Sequence, residues 1–359
     1  MVYTAKWGII ATGWITERFV KDLLLDPSTR DVSDVKHEVV AIGSRSLEKA
    51  QKFVDEFAPG QTGIRLYGDY ESVLSDKDVE IVYIGTPHSH HYKLAIAALR
   101  AGKNVLCEKA MTINAAQAKH IAKVAAENNV FVMEAMWTRF FPLMRKVESL
   151  LWDEKAIGTI HRVTTDLSNK FAVDPANRIY NPALGGGALL DLGVYAITWV
   201  NVVCYNHPEN KQSPPTSTKA SVLKTPLTGV DEETVIVQVW DKPHIISTAT
   251  MSIVVDGPTD CMVRIEGSKG QIIVPLSSCR PTKVILRPNE GEEQVFDFPI
   301  VGYGMHWEAD QVARDVRDGK KVSDIYPIAE TLYALSVCDE VRKQNDFVYP
   351  AEIEYVEES

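Results

Sequence analysis

Up to about residue 135, the chain alternates short runs of apolar and β-branched residues with segments of helical periodicity. Such alternation is typical of a parallel sheet whose strands are joined by crossover helices. The predicted strands are residues 6–11, 38–43, 64–67, 80–85, 104–107 and 130–133, and the clearest helices are 47–57, 90–101 and 115–128. Because six strands suit a doubly wound sheet, we predict an α/β Rossmann domain over residues 1–139.

The rhythm changes after residue 142, where strand-like runs follow one another with short turns. The predicted strands are residues 159–167, 219–224, 234–240, 245–251, 262–266, 271–274, 283–286 and 294–298. Helices over 305–318 and 328–343 close the chain. Consecutive strands joined by tight turns favour antiparallel pairing. Residues 140–359 are therefore predicted to form an α+β domain with a large, mainly antiparallel, open-faced sheet.

The composition narrows the class of protein. The 359 residues carry a net charge of −10, and this acidic balance argues against a nucleic-acid partner. Five widely spaced cysteines without a CxxC pair predict reduced thiols in a cytoplasmic protein, and we expect no secretion signal. Residues 189–205 are apolar but contain Asp191 and Asn201, so we expect no membrane span.

The turn after the first predicted strand lies where a Rossmann domain binds pyrophosphate. It contains Ala11, Thr12, Gly13, Trp14 and Ile15, and an amphipathic segment follows. A glycine there allows backbone N–H groups to approach phosphate at a helix N-terminus. Only the middle glycine of the GxGxxG fingerprint is present, so an ordinary strand–turn–helix is the alternative.

The end of the second predicted strand bears on the choice of dinucleotide. An NAD-binding domain usually has Asp or Glu there for the ribose 2′-hydroxyl. This chain has Ser44 and Arg45, with Lys49 one helical turn later. A hydroxyl and two cations suit the 2′-phosphate of NADP, whereas a solvated arginine at a helix start is the simpler alternative.

A histidine-rich segment follows the fourth predicted strand. Thr86, Pro87, His88 and His91 lie at the carboxyl end of that strand, where a Rossmann loop covers the cofactor. No carboxylate or cysteine stands at ligand spacing, so we predict no metal site.

The fifth predicted strand ends in Glu108 and Lys109, at the edge of the sheet where ligands bind. Lys109 is either a surface lysine or a donor to a substrate hydroxyl or a neighbouring phenol.

A glycine-rich segment, 185–187, precedes an apolar helix that contains Asp191 and Tyr195. The spacing of four residues puts a carboxylate and a phenol on one face of an α-helix. Because the surrounding residues are apolar, both groups need partners or a cavity. A structural hydrogen bond between the two side chains is the alternative to an active site.

Together, these motifs resemble the glucose-fructose oxidoreductase / inositol dehydrogenase (Gfo/Idh/MocA) family over nearly the whole chain. The segments that carry the resemblance are residues 7–10, 85–91, 101–109 and 185–195. Residues 133–142 and 191–195 look like the dimeric trans-1,2-dihydrodiol dehydrogenases and the fungal NADP-dependent D-xylose 1-dehydrogenases within that family.

The resemblance implies Lys109 and Tyr195 as the catalytic pair, Asp191 in the site, and cofactor contacts from Trp137 and Arg178. Three positions depart from the common pattern of the family. Tyr195 stands where most members have His, Ala110 where most have Pro, and Ala11 where most have Gly. The sequence leaves the isomer of the Lys109–Ala110 peptide bond open.

The expected activity is NADP-dependent oxidation of a sugar at its anomeric hydroxyl, with D-xylose the first candidate. A small-molecule diol substrate is the first alternative, because trans-dihydrodiol oxidation needs the same acid–base pair. Relatives that only sense NADP and sugar, and glycosidases that use bound NAD, are two further alternatives. The relatives pair through the C-terminal sheet, so we also expect a homodimer that buries strands 234–240 and 245–251.

Overall fold

The computed structural model describes residues 2–357, and its first sheet has the six predicted strands. They are β1 (Tyr3–Ile10), β2 (Val35–Gly43), β3 (Arg65–Tyr67), β4 (Ile81–Ile84), β5 (Asn104–Glu108) and β6 (Val132–Ala135). Their order is β3-β2-β1-β4-β5-β6, and every neighbouring pair is parallel. The predicted Rossmann domain is confirmed.

Helices cover both faces of this sheet. They are α1 (Trp14–Leu23), α2 (Leu47–Phe57), α3 (Glu71–Ser75), α4 (His88–Arg100) and α5 (Ala115–Glu127). β4 is consequently buried along its whole length. The strand order reverses between β1 and β4, and in such sheets ligands bind outside the carboxyl ends at this reversal.

The second sheet contains the eight other predicted strands. They are β7 (Ile160–Ser168), β8 (Ser217–Lys224), β9 (Asp231–Trp240), β10 (Ile245–Ser252), β11 (Val263–Gly267), β12 (Gly270–Val274), β13 (Lys283–Pro288) and β14 (Gln294–Asp297). The order is β14-β13-β12-β11-β7-β10-β9-β8, with one parallel pair, β7 and β10. All other neighbours are antiparallel, as predicted.

The two faces of this sheet differ in exposure. Along β9 the side chains of Ile236 and Trp240 are buried, whereas those of Val235, Val237 and Val239 are 37–41% exposed. The buried face packs on helix α7 (Val194–Val200), which follows a short helix α6 (Pro142–Glu148) in the chain. The opposite face is open and carries apolar side chains.

The helical stretch Pro182–Tyr205, which includes α7, is long and apolar enough to cross a bilayer. The expectation that residues 189–205, which are only part of this stretch, form no membrane span stays a prediction. The apolar window of the stretch is entirely buried inside the fold, where α7 packs against β7 and β10. The stretch has the burial of a core helix.

The C-terminal helices return to the Rossmann domain. α8 (His306–Arg317) packs against α1, β1 and β2, while α9 (Ile328–Gln344) packs against α5 and β6 and is followed by α10 (Ala351–Glu354). Asp310 on α8 lies 2.9 Å from the ring of His37, which accepts from the indole N–H of Trp7 at 3.1 Å. The domain boundary at residues 139 and 140 stays a prediction.

Candidate active site

The predicted phosphate loop connects β1 to α1 at the carboxyl edge of the sheet. Ala11 has φ 76°, in the left-handed region that favours glycine, which costs an alanine about 1–2 kcal/mol. Gly13 is the N-cap of α1 and has no side-chain acceptor. The first-turn N–H groups, including those of Trp14 and Ile15, have no intrahelical partner and suit an anion.

The residues predicted to select the dinucleotide lie beside this loop. The hydroxyls of Thr12 and Ser44 are 2.9 Å apart, which joins the ends of β1 and β2. Arg45 and Lys49 are exposed, and Lys49 lies in the first turn of α2. Within residues 2–357, no carboxylate pairs with Arg45 or Lys49. Both cations are therefore available to a phosphate group.

The histidines after β4 brace the loop that precedes α4. The ring nitrogens of His91 lie 2.7 Å from the Thr86 carbonyl and 2.9 Å from the Ala110 carbonyl. Burial lowers the pKa of His91 to about 4, so the ring is neutral. His88 contacts the carbonyls of Gly185 and Lys109 at 2.8 and 3.2 Å. His88 thereby joins the two domains next to the cis Lys109–Ala110 bond, whereas both contacts of His91 lie within the Rossmann domain.

Lys109, Asp191 and Arg178 form a charged cluster at the end of β5. The ammonium of Lys109 donates to the Asp191 carbonyl oxygen at 2.8 Å and to Asp191 Oδ1 at 3.0 Å. The guanidinium of Arg178 donates to the same carboxylate at 3.0 and 3.4 Å. His88 Nε2 lies 3.9 Å from it. One buried carboxylate therefore holds two cations from distant parts of the chain.

The charge balance keeps Asp191 ionised. Burial alone would raise the pKa of this carboxyl, but the charges of Lys109 and Arg178 outweigh it and hold the pKa well below its usual range. The neighbouring Glu108 behaves differently, because burial raises its pKa to about 7 against the opposing charge of Lys109. Glu108 accepts from the hydroxyl of Tyr83 at 2.7 Å.

Asp191 and Tyr195 do not form the expected α-helical pair. Leu189–Gly193 is a π-helical turn, and α7 begins only at Val194, so the predicted spacing geometry is wrong. Asp191 binds Lys109 and Arg178 instead of the phenol. The hydroxyl of Tyr195 accepts from the indole N–H of Trp137 at 2.9 Å, and the Lys109 ammonium lies 5.2 Å from the centre of the Tyr195 ring.

The phenol of Tyr195 is buried, and burial raises its pKa well above 10. The hydrogen bond from Trp137 acts in the opposite direction. Tyr195 is therefore a neutral phenol at neutral pH. It has a donor aimed at its oxygen and a cation against its ring.

Comparison with known proteins bears directly on this arrangement. The Gfo/Idh/MocA oxidoreductase family with an NAD-binding Rossmann fold matches residues 5–136, and the C-terminal domain of the same family matches residues 145–273. The chain belongs to the Gfo/Idh/MocA family. The predicted resemblance and the oxidoreductase class are thus confirmed.

Two curated relatives align over almost the whole Gfo/Idh/MocA chain. The D-xylose 1-dehydrogenase (NADP⁺) of Hypocrea jecorina is 42% identical, covering 97% of this chain and 94% of its own length. The trans-1,2-dihydrobenzene-1,2-diol dehydrogenase of Xenopus tropicalis is 34% identical, covering 96% and 99%. A 3-ketoreductase from Actinomadura kijaniata, solved with NADP, shares the fold at a TM-score of 0.79 and 23% identity, covering 95% of this chain and 98% of its own.

The structure gathers the predicted residues into two groups. The first group is the phosphate loop with Ser44, Arg45 and Lys49, and the second contains Lys109, Asp191, Tyr195, Trp137 and Arg178. Their roles toward a cofactor or substrate stay predictions. Pro87 precedes the first residue of α4 as its N-cap.

Sequence reasoning missed Cys279, whose charge contributes to the raised pKa of the Tyr195 phenol. The carbonyl of Cys279 accepts from the hydroxyl of Thr138 at 2.5 Å, next to Trp137. Since residue 279 is far from every other site residue in the sequence, no local motif could have indicated it. The bond from Trp137 to Tyr195 was missed for the same reason.

Proposed function

We propose that this enzyme oxidises an aldose, with D-xylose the first candidate, at C1 to the aldonolactone with NADP⁺. The observation that carries the proposal is the Lys109–Asp191 ion pair beside the phenol of Tyr195, at the carboxyl edge of β5. The relative from Hypocrea jecorina, which is named for this reaction, supports the substrate.

The reaction requires that C1 of the sugar lose a hydride and that its hydroxyl lose a proton. When bound, NADP⁺ accepts the hydride. The phenolate form of Tyr195 takes the O1 proton, and the C1–O1 bond becomes the carbonyl of the lactone. The phenol then returns this proton to water.

Lys109 and Asp191 position the sugar for this transfer. An ammonium has three N–H donors, and two of those of Lys109 are directed at Asp191. The third is available to the substrate hydroxyl. Asp191 stays ionised and fixes the ammonium, so the donor keeps its direction while charge develops on the hydroxyl oxygen.

The cofactor in this proposal is NADP rather than NAD. The uncapped first turn of α1 suits the pyrophosphate, while Arg45 and Lys49 suit the 2′-phosphate that NAD lacks. Ser44 occupies the place of the carboxylate that would repel this phosphate. The other two residues predicted to contact the cofactor, Trp137 and Arg178, donate to the Tyr195 hydroxyl and to the Asp191 carboxylate.

Trans-dihydrodiol oxidation is the second candidate. It is favoured by the aromatic side chain of Trp137, whose indole N–H reaches the Tyr195 hydroxyl and which suits an aromatic diol. The Xenopus tropicalis relative is named for that activity.

We place the enzyme in the cytoplasm as a homodimer, since all five cysteines are unpaired thiols and the C-terminal sheet has an open apolar face.

The deciding experiment measures NADPH formation at 340 nm with a panel of aldoses and benzene dihydrodiol, each with NADP⁺ and with NAD⁺. D-xylose with NADP⁺ should give the highest kcat/KM. A higher kcat/KM with the dihydrodiol would select the second candidate. Tight NADP⁺ binding without turnover of any compound would indicate a sensor and would contradict the proposal.

A further inference from the structure

The hydroxyl of Tyr195 has one hydrogen-bond partner within residues 2–357, the indole N–H of Trp137 at 2.9 Å. Both residues are buried, with Tyr195 7% and Trp137 8% exposed. An indole N–H only donates, so in this bond the phenolic oxygen is the acceptor. The phenol keeps its own proton free to leave.

Lys109 is not a hydrogen-bond donor to the Tyr195 oxygen. Its ammonium lies 5.2 Å from the centre of the Tyr195 ring and gives two hydrogen bonds to Asp191. A cation above the ring face interacts with the ring quadrupole rather than with the oxygen lone pairs. The lysine is held by the carboxylate, whereas the indole is directed at the oxygen.

We propose that Trp137 is a positioning residue for Tyr195. The indole N–H of Trp137 stabilises the Tyr195 phenolate that takes the substrate proton. Lys109 then binds the substrate hydroxyl. This inference rests on the proposed function of Tyr195. It assigns to a tryptophan after β6 the role of donor to the phenol, which the sequence indicates only for Lys109.

The physical basis is the difference between the two charge states of the phenol. A hydrogen bond to an ionised acceptor is roughly twice as strong as one to a neutral acceptor. The bond from Trp137 therefore favours the phenolate, and it lies in a buried site where water cannot replace it. This donor offsets part of the cost of ionising a buried phenol.

The other charged and titratable groups around Tyr195 mostly act against ionisation. Cys279, Glu108 and Asp191 raise its pKa. The groups that face it from the surrounding elements are Glu108 and Lys109 at the end of β5, Arg178, Asp191 on the preceding turn and Cys279 after β12. The hydrogen bond from Trp137 acts against these three groups, because it lowers the pKa of the phenol.

The orientation of the indole is fixed by its surroundings. Trp137 opens a 3₁₀ turn that ends at Phe140, and its ring packs edge-to-face on Phe141 at 5.5 Å. Phe141 packs in the same way on Trp307 at 5.0 Å. This aromatic row keeps the N–H directed at Tyr195 before any ligand binds.

The test is the pH profile of Trp137→Phe, which removes the donor and keeps an aromatic ring. The rate of NADPH formation in a single turnover is measured from pH 6 to 10 with the best substrate of the aldose and dihydrodiol panel. The part of the profile in which the rate rises with pH, its rising limb, should shift to higher pH by one unit or more. The melting temperature should stay within a few degrees of that of the parent. NADP⁺ affinity is measured by fluorescence titration, and the single turnovers are run at saturating NADP⁺, so that a lost cofactor contact of Trp137 is separated from a shift of the limb.

Three further variants make the result decisive. Trp240→Phe is the matched control, because Trp240 is buried and gives its N–H to the Ser247 hydroxyl at 3.1 Å, far from the site. It should leave the profile in place. Tyr195→Phe should abolish the rising limb, and adding Trp137→Phe to it should then have no further effect.

An unshifted limb in Trp137→Phe, with Tyr195→Phe still impaired, would overturn the role of Trp137 and leave the proposed function intact. An equal shift in Trp240→Phe would identify a general effect of losing a buried indole and would also overturn it. Full activity of Tyr195→Phe, or no turnover of any panel compound, would instead refute the proposed function on which the inference rests.

Discussion

The ammonium of Lys109 lies 2.8 Å from the backbone carbonyl of Asp191 and 3.0 Å from its carboxylate. This double contact joins the end of β5 in the Rossmann domain to the π-helical turn that precedes α7 in the C-terminal domain. Asp191 also accepts from Arg178, so one carboxylate positions both cations.

Asp191→Asn should therefore destabilise the protein and lower its activity. Removing one partner of a buried ion pair typically costs about 3–5 kcal/mol, because the other charge is left buried. Urea unfolding should show a loss of this order, and kcat should fall at least tenfold. The double variant with Lys109→Met should lose less stability than the sum of the two single variants. Strict additivity would mean that the contact contributes nothing.

Tyr195→Phe should lower kcat by on the order of 10²–10⁴-fold, the usual contribution of a positioned acid–base group. Burial raises the pKa of Tyr195 well above 10. At every pH below this pKa, the phenolate fraction therefore increases about tenfold when the pH rises by one unit. Oxidation by the unmodified enzyme should accordingly accelerate as the pH rises from 7 to 9. The kcat values of both proteins over this range provide the check, with NADP⁺ affinity unchanged.

The elements of this fold were predictable, but their neighbours were not. Val235, Val237 and Val239 alternate with buried residues, and such a pattern indicates a strand with one open face. Nothing in that pattern specifies that β7 pairs in parallel with β10, more than 75 residues further along the chain. Periodicity records which face of a strand is buried and contains no information about the adjacent strand.

The same limit applies to the site. Lys109, Tyr195 and Asp191 could be identified from motifs at strand ends and on an apolar helix. The π-helical turn could not, because a single extra residue per turn leaves the apolar pattern almost unchanged. Without that turn, Asp191 was predicted beside the phenol, whereas its partners are Lys109 and Arg178.

Arg45→Ala should separate the two dinucleotides. A charge-assisted contact to the 2′-phosphate is worth roughly 1.5–3 kcal/mol, so KM for NADP⁺ should rise about ten- to a hundredfold. KM for NAD⁺ should stay almost unchanged, because NAD⁺ has no such phosphate. Ser44→Asp should act in the opposite sense by repelling the phosphate. Equal losses for both cofactors would assign Arg45 to the fold or to the shared adenosine.

The stability of the fold should depend on pH through Asp231. This buried carboxyl accepts from the Leu189 N–H at 2.6 Å, and burial raises its pKa to about 7. A folded-state pKa above the unfolded value means that the folded protein binds the extra proton, so stability falls as the pH rises from about 4 to 7. The free energy of unfolding of Asp231→Asn, relative to that of the parent, should therefore increase by about 2 kcal/mol from pH 5.5 to pH 8.

Urea unfolding of both proteins at the two pH values measures this change. Asp241→Asn, at an exposed turn, is the control and should show the same difference from the parent at both. A difference between Asp231→Asn and the parent that is independent of pH would show that the carboxyl does not titrate in this range.

The open face of the C-terminal sheet predicts the homodimer. Val235, Val237 and Val239 on β9 and Ile246 on β10 are 37–49% exposed, and they form a contiguous apolar strip because Val239 lies opposite Ile246. Strips of this kind on a sheet face mark protein–protein contacts. Val237→Glu would place a charge in the centre of the contact and should shift the protein to monomer in sedimentation at micromolar concentration. The Rossmann-domain variant Val2→Glu, also at an exposed valine, should remain dimeric. A parent protein that sediments only as a monomer would contradict the prediction, and the same would follow from a Val237→Glu dimer of unchanged affinity.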